Sequence, residues 1–253
     1  RFTASQTMAL AQQLYEGIPI GDGGPTGLIT YMRTDSPRIT PAAISEIRDY
    51  VTREYGPEYV PAKARRYTSK GKFAQEAHEA VRPTSVQRTP DSLKTFLNQN
   101  QLRLYRLIWQ RTVASQMAPA IYESTNVAVD AATGPRAGFL LEAGSSTLKF
   151  PGFTALYVET SDDATDAEER CTLPGLKKGE GLTYIDSSNE QKFTQPPPRY
   201  TEATLVKALE QKGIGRPSTY APTLSVIQLR EYVVKETGRF KPTKLGAIVT
   251  DLL

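Results

Sequence analysis

Tyr31 and Arg33 stand in the stretch GLITYMRTDS, residues 27–36, where an apolar run gives way to polar residues. A phenol has a pKa of about 10 and is a weak nucleophile at neutral pH, so attack on a phosphodiester needs a cation close by. In a short strand, side chains two residues apart lie on one face, which would let Tyr31 and Arg33 meet one phosphate. From this spacing alone, a packing role for Tyr31 is the commoner outcome.

A second polar cluster is the stretch AQEAHEAVRPT, residues 74–84, which holds the single histidine of the chain, His78, together with Arg82. A histidine among carboxylates can be held protonated and bind phosphate, or it can transfer a proton. The alternative is a surface histidine in a charged loop. The residues by themselves favour that alternative.

The third cluster is GRPSTY, residues 215–220, with Arg216, Ser218 and Thr219 at a predicted helix start. A cation, two hydroxyls and free backbone N–H groups form a natural phosphate site, and Tyr220 offers a ring for stacking on a base. A well-capped helix start after a glycine turn explains the same residues equally well.

Local patterns predict the helices that must position these clusters. Expected helices cover residues 5–16, 42–55, a stretch after Thr89-Pro90, 101–117, 201–213, 223–231 and a final helix after residue 243. Ser5, Thr40, Thr201 and Thr243 are the predicted N-caps, with Pro41 at a first helical position. In helix 101–117 the residues expected to face the core are Leu104, Leu107, Ile108, Val113 and Met117.

The sequence predicts β-structure in the middle of the chain. It also predicts that GLITYM, residues 27–32, forms a short buried strand or an extended segment. Strands are predicted in IYESTNVAVDA, GFLLEAG, TLKFPGF, ALYVE and LTYIDSSNEQKF. The stretch QPPPRY, residues 195–200, marks a boundary because three consecutive prolines make a stiff linker. Beyond it, YVVKETGRFKPT predicts a hairpin that turns at Thr237-Gly238, and helix, turn, helix, hairpin is a winged-helix-like order.

Composition sets wider limits on the class of protein. The chain has 253 residues, 39% of them hydrophobic, with one cysteine, so it can form no intrachain disulfide. The net charge of +4 divides into +6 for residues 1–120, −6 for 121–196 and +4 for 197–253, so a polyanion would bind the outer segments. No apolar run is long enough to span a membrane. A first residue that is not methionine and an end within a predicted helix lead us to expect a piece of a longer protein.

The three clusters together resemble the motifs of one known family. GLITYMRTDS resembles the active-site tyrosine motif of bacterial DNA topoisomerase I, the type IA class, and QEAHEAVRPT and LVKALEQKGIGRPSTYAPTLSVIQ resemble two further motifs in the same order. RLYRLIWQRTVASQMAPA and KFTQPPPRYTEATL also match the family pattern. The fold implied is multi-domain α+β, with helical, winged-helix-like domains at both ends joined by a β-rich arch. Its expected parts are residues 1–118, 119–197 and 198–253.

The resemblance also implies a mechanism and site roles. Tyr31 would attack a backbone phosphate of single-stranded DNA next to a duplex and form a 5′-phosphotyrosine link, and Arg33 would hold that phosphate. The residues His78, Arg82, Arg216, Ser218 and Thr219 would support the site or bind DNA. Relaxation of negative supercoils would use no ATP.

The family's Mg²⁺ belongs to a TOPRIM domain whose Asp-x-Asp-x-Glu motif does not occur in this sequence, so no cofactor is expected in the chain and the chain alone is expected not to relax DNA. A cytoplasmic, nucleoid-associated bacterial protein is expected, and the family is monomeric. The alternatives are the topoisomerase half of a reverse gyrase, a DNA-binding module without catalysis, and a tyrosine recombinase.

Overall fold

Six α-helices and three two-stranded antiparallel sheets occur in the computed structural model, which describes residues 2–21, 23–68, 78–131, 138–158 and 173–253. The chain divides into two units. One contains residues 1–118, 153–162 and 199–253, and the other contains residues 119–152 and 163–198. Helices together with small sheets give the mixed α and β composition that the sequence predicted. No helix within these ranges is both long and apolar enough to cross a membrane.

The first three helices belong to the first unit: α1 is Ala4–Glu16, α2 is Pro41–Tyr55 and α3 is Gln99–Ser115. Helix α1 is capped by Thr3 and not by the predicted Ser5, because Thr3 and Gln6 form a reciprocal capping box. Helix α3 starts two residues before the predicted position, since Asn98 and Gln101 form a second capping box. Helix α2 begins as predicted, with Thr40 as N-cap and Pro41 in its first turn.

The helix predicted after Thr89-Pro90 is absent. Residues 90–97 form turns. The amide of Lys94 donates to Asp91 O at 3.4 Å and that of Phe96 to Leu93 O at 3.1 Å, so these hydrogen bonds reach three residues back, as in turns. The chain enters α3 directly from this run of turns.

The core of the first unit is built on one face of α3. Leu104, Tyr105, Trp109, Val113 and Met117 of this region are buried. The Tyr105 hydroxyl donates to Arg88 O at 2.6 Å and Trp109 Nε1 donates to Val86 O at 2.9 Å, so both rings are buried with their polar atoms satisfied. The prediction for Leu107 was wrong, because the face carrying these rings turns Leu107 outward, where it is 49% exposed, while Ile108 is only partly buried.

Two very short strands, β1 (Ile18–Pro19) and β2 (Pro25–Thr26), pair in the loop after α1. The second unit contains one long hairpin, in which β3 (Ile121–Ala131) pairs antiparallel with β4 (Phe139–Phe150) from Ile121↔Phe150 to Ala131↔Phe139. The predicted strands GFLLEAG and TLKFPGF therefore form one strand, β4, which ends at Phe150.

The other two predicted strands are absent. Gly152–Ala155 is a 3-10 turn and residues 156–158 are not in a strand. Residues 182–193 are not paired with any strand, and an unpaired segment cannot form the ladder of hydrogen bonds that stabilises a sheet. The described residues of this middle region thus hold fewer strands than predicted. Cys171 lies outside the described residues.

The last part of the chain consists of helices α4 (Glu202–Gln211) and α5 (Tyr220–Leu229), strands β5 (Val233–Glu236) and β6 (Arg239–Pro242), and helix α6 (Lys244–Leu252). The caps Thr201 and Thr243 and the hairpin turn are confirmed, and Thr237 and Gly238 both have the positive φ that such a turn needs. Helix α5 begins three residues before the predicted Thr223, because the amides of Thr219 and Tyr220 already donate to Arg216 O.

Candidate active site around Tyr31

The segment that carries Tyr31 is not a strand, and its backbone bends at Thr30, Met32 and Arg33. Its only ladder contact in the described part of the chain is a bridge from Ile29 to Pro83. The amide of Leu28 donates to Leu14 O at 2.7 Å, at the end of α1. The side chain of Met32 is buried, whereas Tyr31 is half-buried and Arg33 is exposed. The buried Met32 thus lies between Tyr31 and Arg33 in the chain, and the segment does not form the short strand that was one of the two expectations from the sequence.

Thr30 joins the Tyr31 segment to the segment that contains His78. Its amide donates to Arg82 O at 2.9 Å, and its hydroxyl donates to Ala80 O at 2.7 Å. The same hydroxyl accepts from the Arg82 amide at 3.0 Å. Thr84 adds two more bonds, since its amide donates to Leu28 O at 3.0 Å and its hydroxyl to Gly27 O at 2.8 Å. Two sequence clusters about fifty residues apart are therefore hydrogen-bonded side by side.

The ring of Tyr31 contacts two other rings. Its centroid lies 5.3 Å from that of His78, with an interplanar angle of 53°, and 5.4 Å from that of Tyr15, in an edge-on arrangement of 68°. The ring also packs against the hydrophobic core. Its hydroxyl forms no hydrogen bond with the described residues. Tyr31 is thus held by its ring, and its hydroxyl has no partner among the described residues.

Arg82 makes structural contacts in the segment that contains His78, whose ring packs against Tyr31. Its Nε donates to Glu79 Oε2 at 2.7 Å and its Nη1 donates to Pro83 O at 3.0 Å, and only 15% of its side chain is exposed. These contacts hold the turn that presents His78. Arg82 therefore shapes the site, and the guanidinium points into its own turn.

Arg33 lies in a cleft of about 340 Å³ with the GRPSTY turn. The cleft is lined by Ser5, Met8, Arg33, Pro217, Ser218, Ala221, Pro222 and Ser225. The Arg33 side chain makes no hydrogen bond or ion pair with the described part of the chain. A guanidinium facing several hydroxyls has the composition of an anion site.

The remaining residues of the turn are used to build it. Thr219 Oγ1 accepts from the Arg216 amide at 2.9 Å and donates to Arg216 O at 3.1 Å. Arg216 Nη1 donates to Gly215 O at 2.7 Å, and Gly215 has a φ of +78°, which suits glycine. Ser218 is thus the one of the three predicted side chains that lines the cleft beside Arg33, whereas Thr219 holds the turn from within.

A second, more apolar cleft of about 460 Å³ adjoins the first, with which it shares Met8, Pro217 and Ala221. Tyr220 lies in this cleft together with Asp35 and Glu210. Burial raises the pKa of the Tyr220 phenol, and the charges of Glu210 and Asp35 raise it further, against an opposing effect of Arg216. The aromatic ring predicted for stacking therefore sits among carboxylates.

Glu202 is a residue that the sequence did not indicate. Its Oε2 accepts from the Ala4 amide and its Oε1 from Lys235 Nζ, both at 2.6 Å. Burial alone would raise the pKa of this carboxyl, but the Lys235 ammonium and the Ala4 N–H outweigh burial and hold the pKa below its ordinary value. This contact fastens the last part of the chain to the start of α1. Residues 198 positions apart meet in it, so no local pattern could reveal it.

The described residues contain no group of three histidine, cysteine, aspartate or glutamate side chains that could hold a metal ion. The Mg²⁺ that the family resemblance implies belongs to a TOPRIM domain, and the described residues offer no such set of donors.

Known proteins match this chain over its full length. The family model described as DNA topoisomerase matches residues 1–253. Among solved structures, full-length topoisomerase I from Thermotoga maritima in a monoclinic crystal form is similar, with a TM-score of 0.82 and 37% sequence identity. The match covers 100% of this chain and 39% of that one, so the chain spans well under half the length of that relative. The chain belongs to the bacterial type IA DNA topoisomerase family.

Proposed function

We propose that this chain is the central part of a type IA DNA topoisomerase, in which Tyr31 cleaves one DNA strand through a transient 5′-phosphotyrosine link. The other strand passes through the gap, the link is reversed, and negative supercoils are relaxed without ATP. The proposed partner is single-stranded DNA next to a duplex. The proposed location is the bacterial cytoplasm, in association with the nucleoid. Family membership and the resemblance of the three motifs support this proposal.

The observation that carries the proposal is the convergence of all three motifs around one tyrosine. Thr30 bonds the Tyr31 segment to the His78 segment, and the rings of Tyr31 and His78 are in contact. Arg33, two residues after Tyr31, shares a cleft with Ser218 of the third motif. A nucleophile, a histidine and a cation beside hydroxyls are what phosphodiester transfer by tyrosine requires.

In the proposed step, the Tyr31 hydroxyl oxygen forms a bond to phosphorus while the bond from phosphorus to the 3′ oxygen breaks. The phenol proton leaves and the 3′ oxygen gains a proton, so the step needs no oxidant, reductant or second substrate. Arg33 donates to the phosphate oxygens and offsets their growing charge. His78, beside the phenol, binds phosphate when protonated or transfers the proton. Attack by the 3′-hydroxyl reverses the step.

The finer architecture belongs to the same proposal. Residues 1–118 would be the domain that carries the tyrosine, 119–197 part of the arch, and 198–253 part of the base that guides single-stranded DNA. The order of α4, α5, the β5–β6 hairpin and α6 supports a winged-helix-like assignment for the last part. Mg²⁺ would be held by a TOPRIM domain outside these residues.

The test is a Tyr31→Phe substitution in the full-length protein that carries this chain. The variant keeps the aromatic ring and its contacts but lacks the nucleophilic oxygen. We expect it to form no covalent complex with a labelled single-stranded oligonucleotide, as read on a denaturing gel, while its binding affinity stays near that of the unchanged protein. A Tyr122→Phe variant is the control, since Tyr122 is an exposed tyrosine of β3.

Covalent complex formation by Tyr31→Phe would refute the proposal and leave a DNA-binding module as the better description. The DNA end that remains attached separates two kinds of tyrosine chemistry. A 5′ attachment is the expected result, whereas a 3′ attachment would point to a tyrosine recombinase. The match to topoisomerase I gives no support to a reverse gyrase.

A further inference from the structure

A second basic cleft lies at the start of α2, away from the lining of the two clefts described above. Its volume is about 510 Å³, and we name it the Arg65 cleft. The residues that line it are Arg38, Ile39, Thr40, Pro41, Ile44, Arg65, Arg66, Tyr67 and Thr68. None of the motifs that suggested the function includes Arg65 or Arg66.

The walls of the Arg65 cleft are fixed to neighbouring elements. Arg65 O accepts from Nε2 of the fully buried Gln116 at 3.1 Å, and the Tyr67 hydroxyl donates to Ser115 O at 2.9 Å. On the other side, Arg38 O accepts from the Ala80 amide at 2.8 Å. One wall is thus attached to the end of α3, and the other to the segment that presents His78.

The chemistry of the lining selects an anion. The described lining residues include three arginines and no carboxylate. The side chain of Thr40 makes no capping hydrogen bond, and the cleft includes the first turn of α2, where the helix dipole is positive. The guanidiniums of Arg65 and Arg66, two threonine hydroxyls and a helix start together favour a phosphate group over a cation or a neutral ligand.

The remaining lining residues point to a phosphate that belongs to a nucleic acid strand. Ile39, Pro41, Ile44 and the ring of Tyr67 supply apolar surface next to the arginines, which suits a sugar or a base. Arg38 follows Arg33 by five residues, so the chain between them spans at most about 17 Å. A single strand of DNA held at Arg33 could therefore reach the Arg65 cleft within a few nucleotides.

We propose that the Arg65 cleft binds a backbone phosphate of single-stranded DNA, a few nucleotides away from the phosphate that Arg33 holds. The inference rests on the proposed function for its ligand class. It adds a second anchoring point, which would fix the direction in which the strand crosses the Tyr31 site.

The experiment measures binding of the 253-residue chain to a series of short single-stranded oligonucleotides, each with one phosphate replaced by an uncharged methylphosphonate. A Tyr31→Phe background keeps the reaction at the binding step. We expect two separated positions at which the replacement weakens binding by about tenfold, the range for a hydrogen bond to a charged group. In an Arg65→Ala, Arg66→Ala variant, the second position should lose its effect and the first should keep it.

Salt dependence gives an independent reading of the same interaction. The slope of log affinity against log salt should fall by about 0.7 for each phosphate of a single strand that the protein no longer neutralises. The matched control is Arg53→Ala with Arg106→Ala, which removes the same charge from two exposed, ion-paired arginines. In that control variant, methylphosphonate should still weaken binding at both phosphate positions.

The outcomes separate the two proposals. If the Arg65→Ala, Arg66→Ala variant keeps both sensitive positions and the full salt slope, the Arg65 cleft is not a DNA site. If the position assigned to Arg33 also fails to respond to Arg33→Ala, the proposed function itself is in question. An Arg65→Gln, Arg66→Gln variant, which keeps a polar side chain without the charge, replaces the alanine variant if the latter unfolds in a thermal melt.

Discussion

The contacts that hold Tyr31 in place are made by its ring, and its hydroxyl forms no hydrogen bond with the described residues. Its ring touches Tyr15 and His78, and its neighbours Thr30 and Met32 are bonded or buried. Arg33 is the opposite case, because its side chain is exposed in a cleft of hydroxyls. At the scale of single residues, the fold therefore holds the ring of Tyr31 in place and leaves the guanidinium of Arg33, two residues later, exposed.

Arg33 provides the first prediction at this scale. In the full-length protein, Arg33→Lys should slow covalent complex formation by about 10- to 100-fold, because a lysine ammonium cannot donate the two parallel hydrogen bonds of a guanidinium. The measurement is a single-turnover cleavage assay with saturating oligonucleotide, so that binding and chemistry are separated. An Arg230→Lys substitution, at an exposed arginine after α5, serves as the control. A cleavage rate near the unchanged value for Arg33→Lys would show that Arg33 does not grip the phosphate.

At the scale of elements, one carboxylate connects three of them. Glu202 is in the first turn of α4, and it accepts hydrogen bonds from the Ala4 amide at the start of α1 and from Lys235 of β5. Its side chain is only 14% exposed, so solvent screens these contacts little. Glu202 is thus one of the contacts that attach the last helices to α1, and it acts as a charged acceptor in both of its hydrogen bonds.

The pH dependence of stability follows from the lowered pKa of Glu202. A carboxyl whose pKa is lower in the folded state stabilises that state above its ordinary pKa of 4.5, and the stabilisation is lost as the pH falls through the folded-state value. Glu202→Gln should lower the free energy of unfolding by about 1.5–3 kcal/mol at neutral pH, the range for a hydrogen bond to a charged group. The difference from the unchanged chain should disappear in acid.

Thermal unfolding of the two proteins across this pH range measures the effect. Glu236→Gln is a matched control, because Glu236 forms an ion pair with Lys241 in which both side chains are more than half exposed. Exposed pairs of this kind contribute little to stability. A constant difference between Glu202→Gln and the unchanged chain at all pH values would mean that the charge of Glu202 is not what fastens the elements.

At the scale of the whole molecule, the residues proposed for cleavage all belong to one of the two units of the chain. The unit formed by residues 119–152 and 163–198 contributes a long hairpin, and nearly all of its described side chains are exposed or half-exposed. The chain as a whole spans 39% of the length of the Thermotoga maritima topoisomerase I chain that it resembles. Activity of the complete enzyme would therefore draw on residues beyond these 253.

A direct prediction follows for the 253-residue chain by itself. It should bind single-stranded DNA but should not relax a negatively supercoiled plasmid, with or without added magnesium. Agarose gel electrophoresis of the plasmid after incubation checks this, with the full-length protein as the positive control. Magnesium-dependent relaxation by the chain alone would show that its own residues complete the reaction.

The sequence predicted the features that depend on local signals. The caps at Thr40, Thr201 and Thr243 were predicted correctly, because a capping residue acts within its own turn. At the start of α1, Thr3 and Ser5 are both good caps, and Gln6 decides in favour of Thr3 by completing the capping box.

Features that depend on distant partners could not be predicted. Tyr105 and Trp109 of α3 are buried with their polar atoms bonded to Arg88 O and Val86 O, whereas helical periodicity, which correctly placed Leu104 in the core, also placed Leu107 there. In the candidate site, the motifs indicated Arg82 and Thr219, but spacing cannot tell that both side chains are engaged inside their own turns. None of the motifs includes Tyr15, and its contact with Tyr31 comes from the fold.

Gly27 sets a limit on how this sequence can vary over evolution. A Cβ atom at this position would lie 2.8 Å from the carbonyl oxygen of Tyr15, and a backbone atom at the end of a helix cannot move aside as a flexible side chain can. Because the restriction is steric, even alanine, which adds only a Cβ atom, would clash at this position. We therefore expect any substitution at this position to displace the end of α1 from the segment that carries Tyr31.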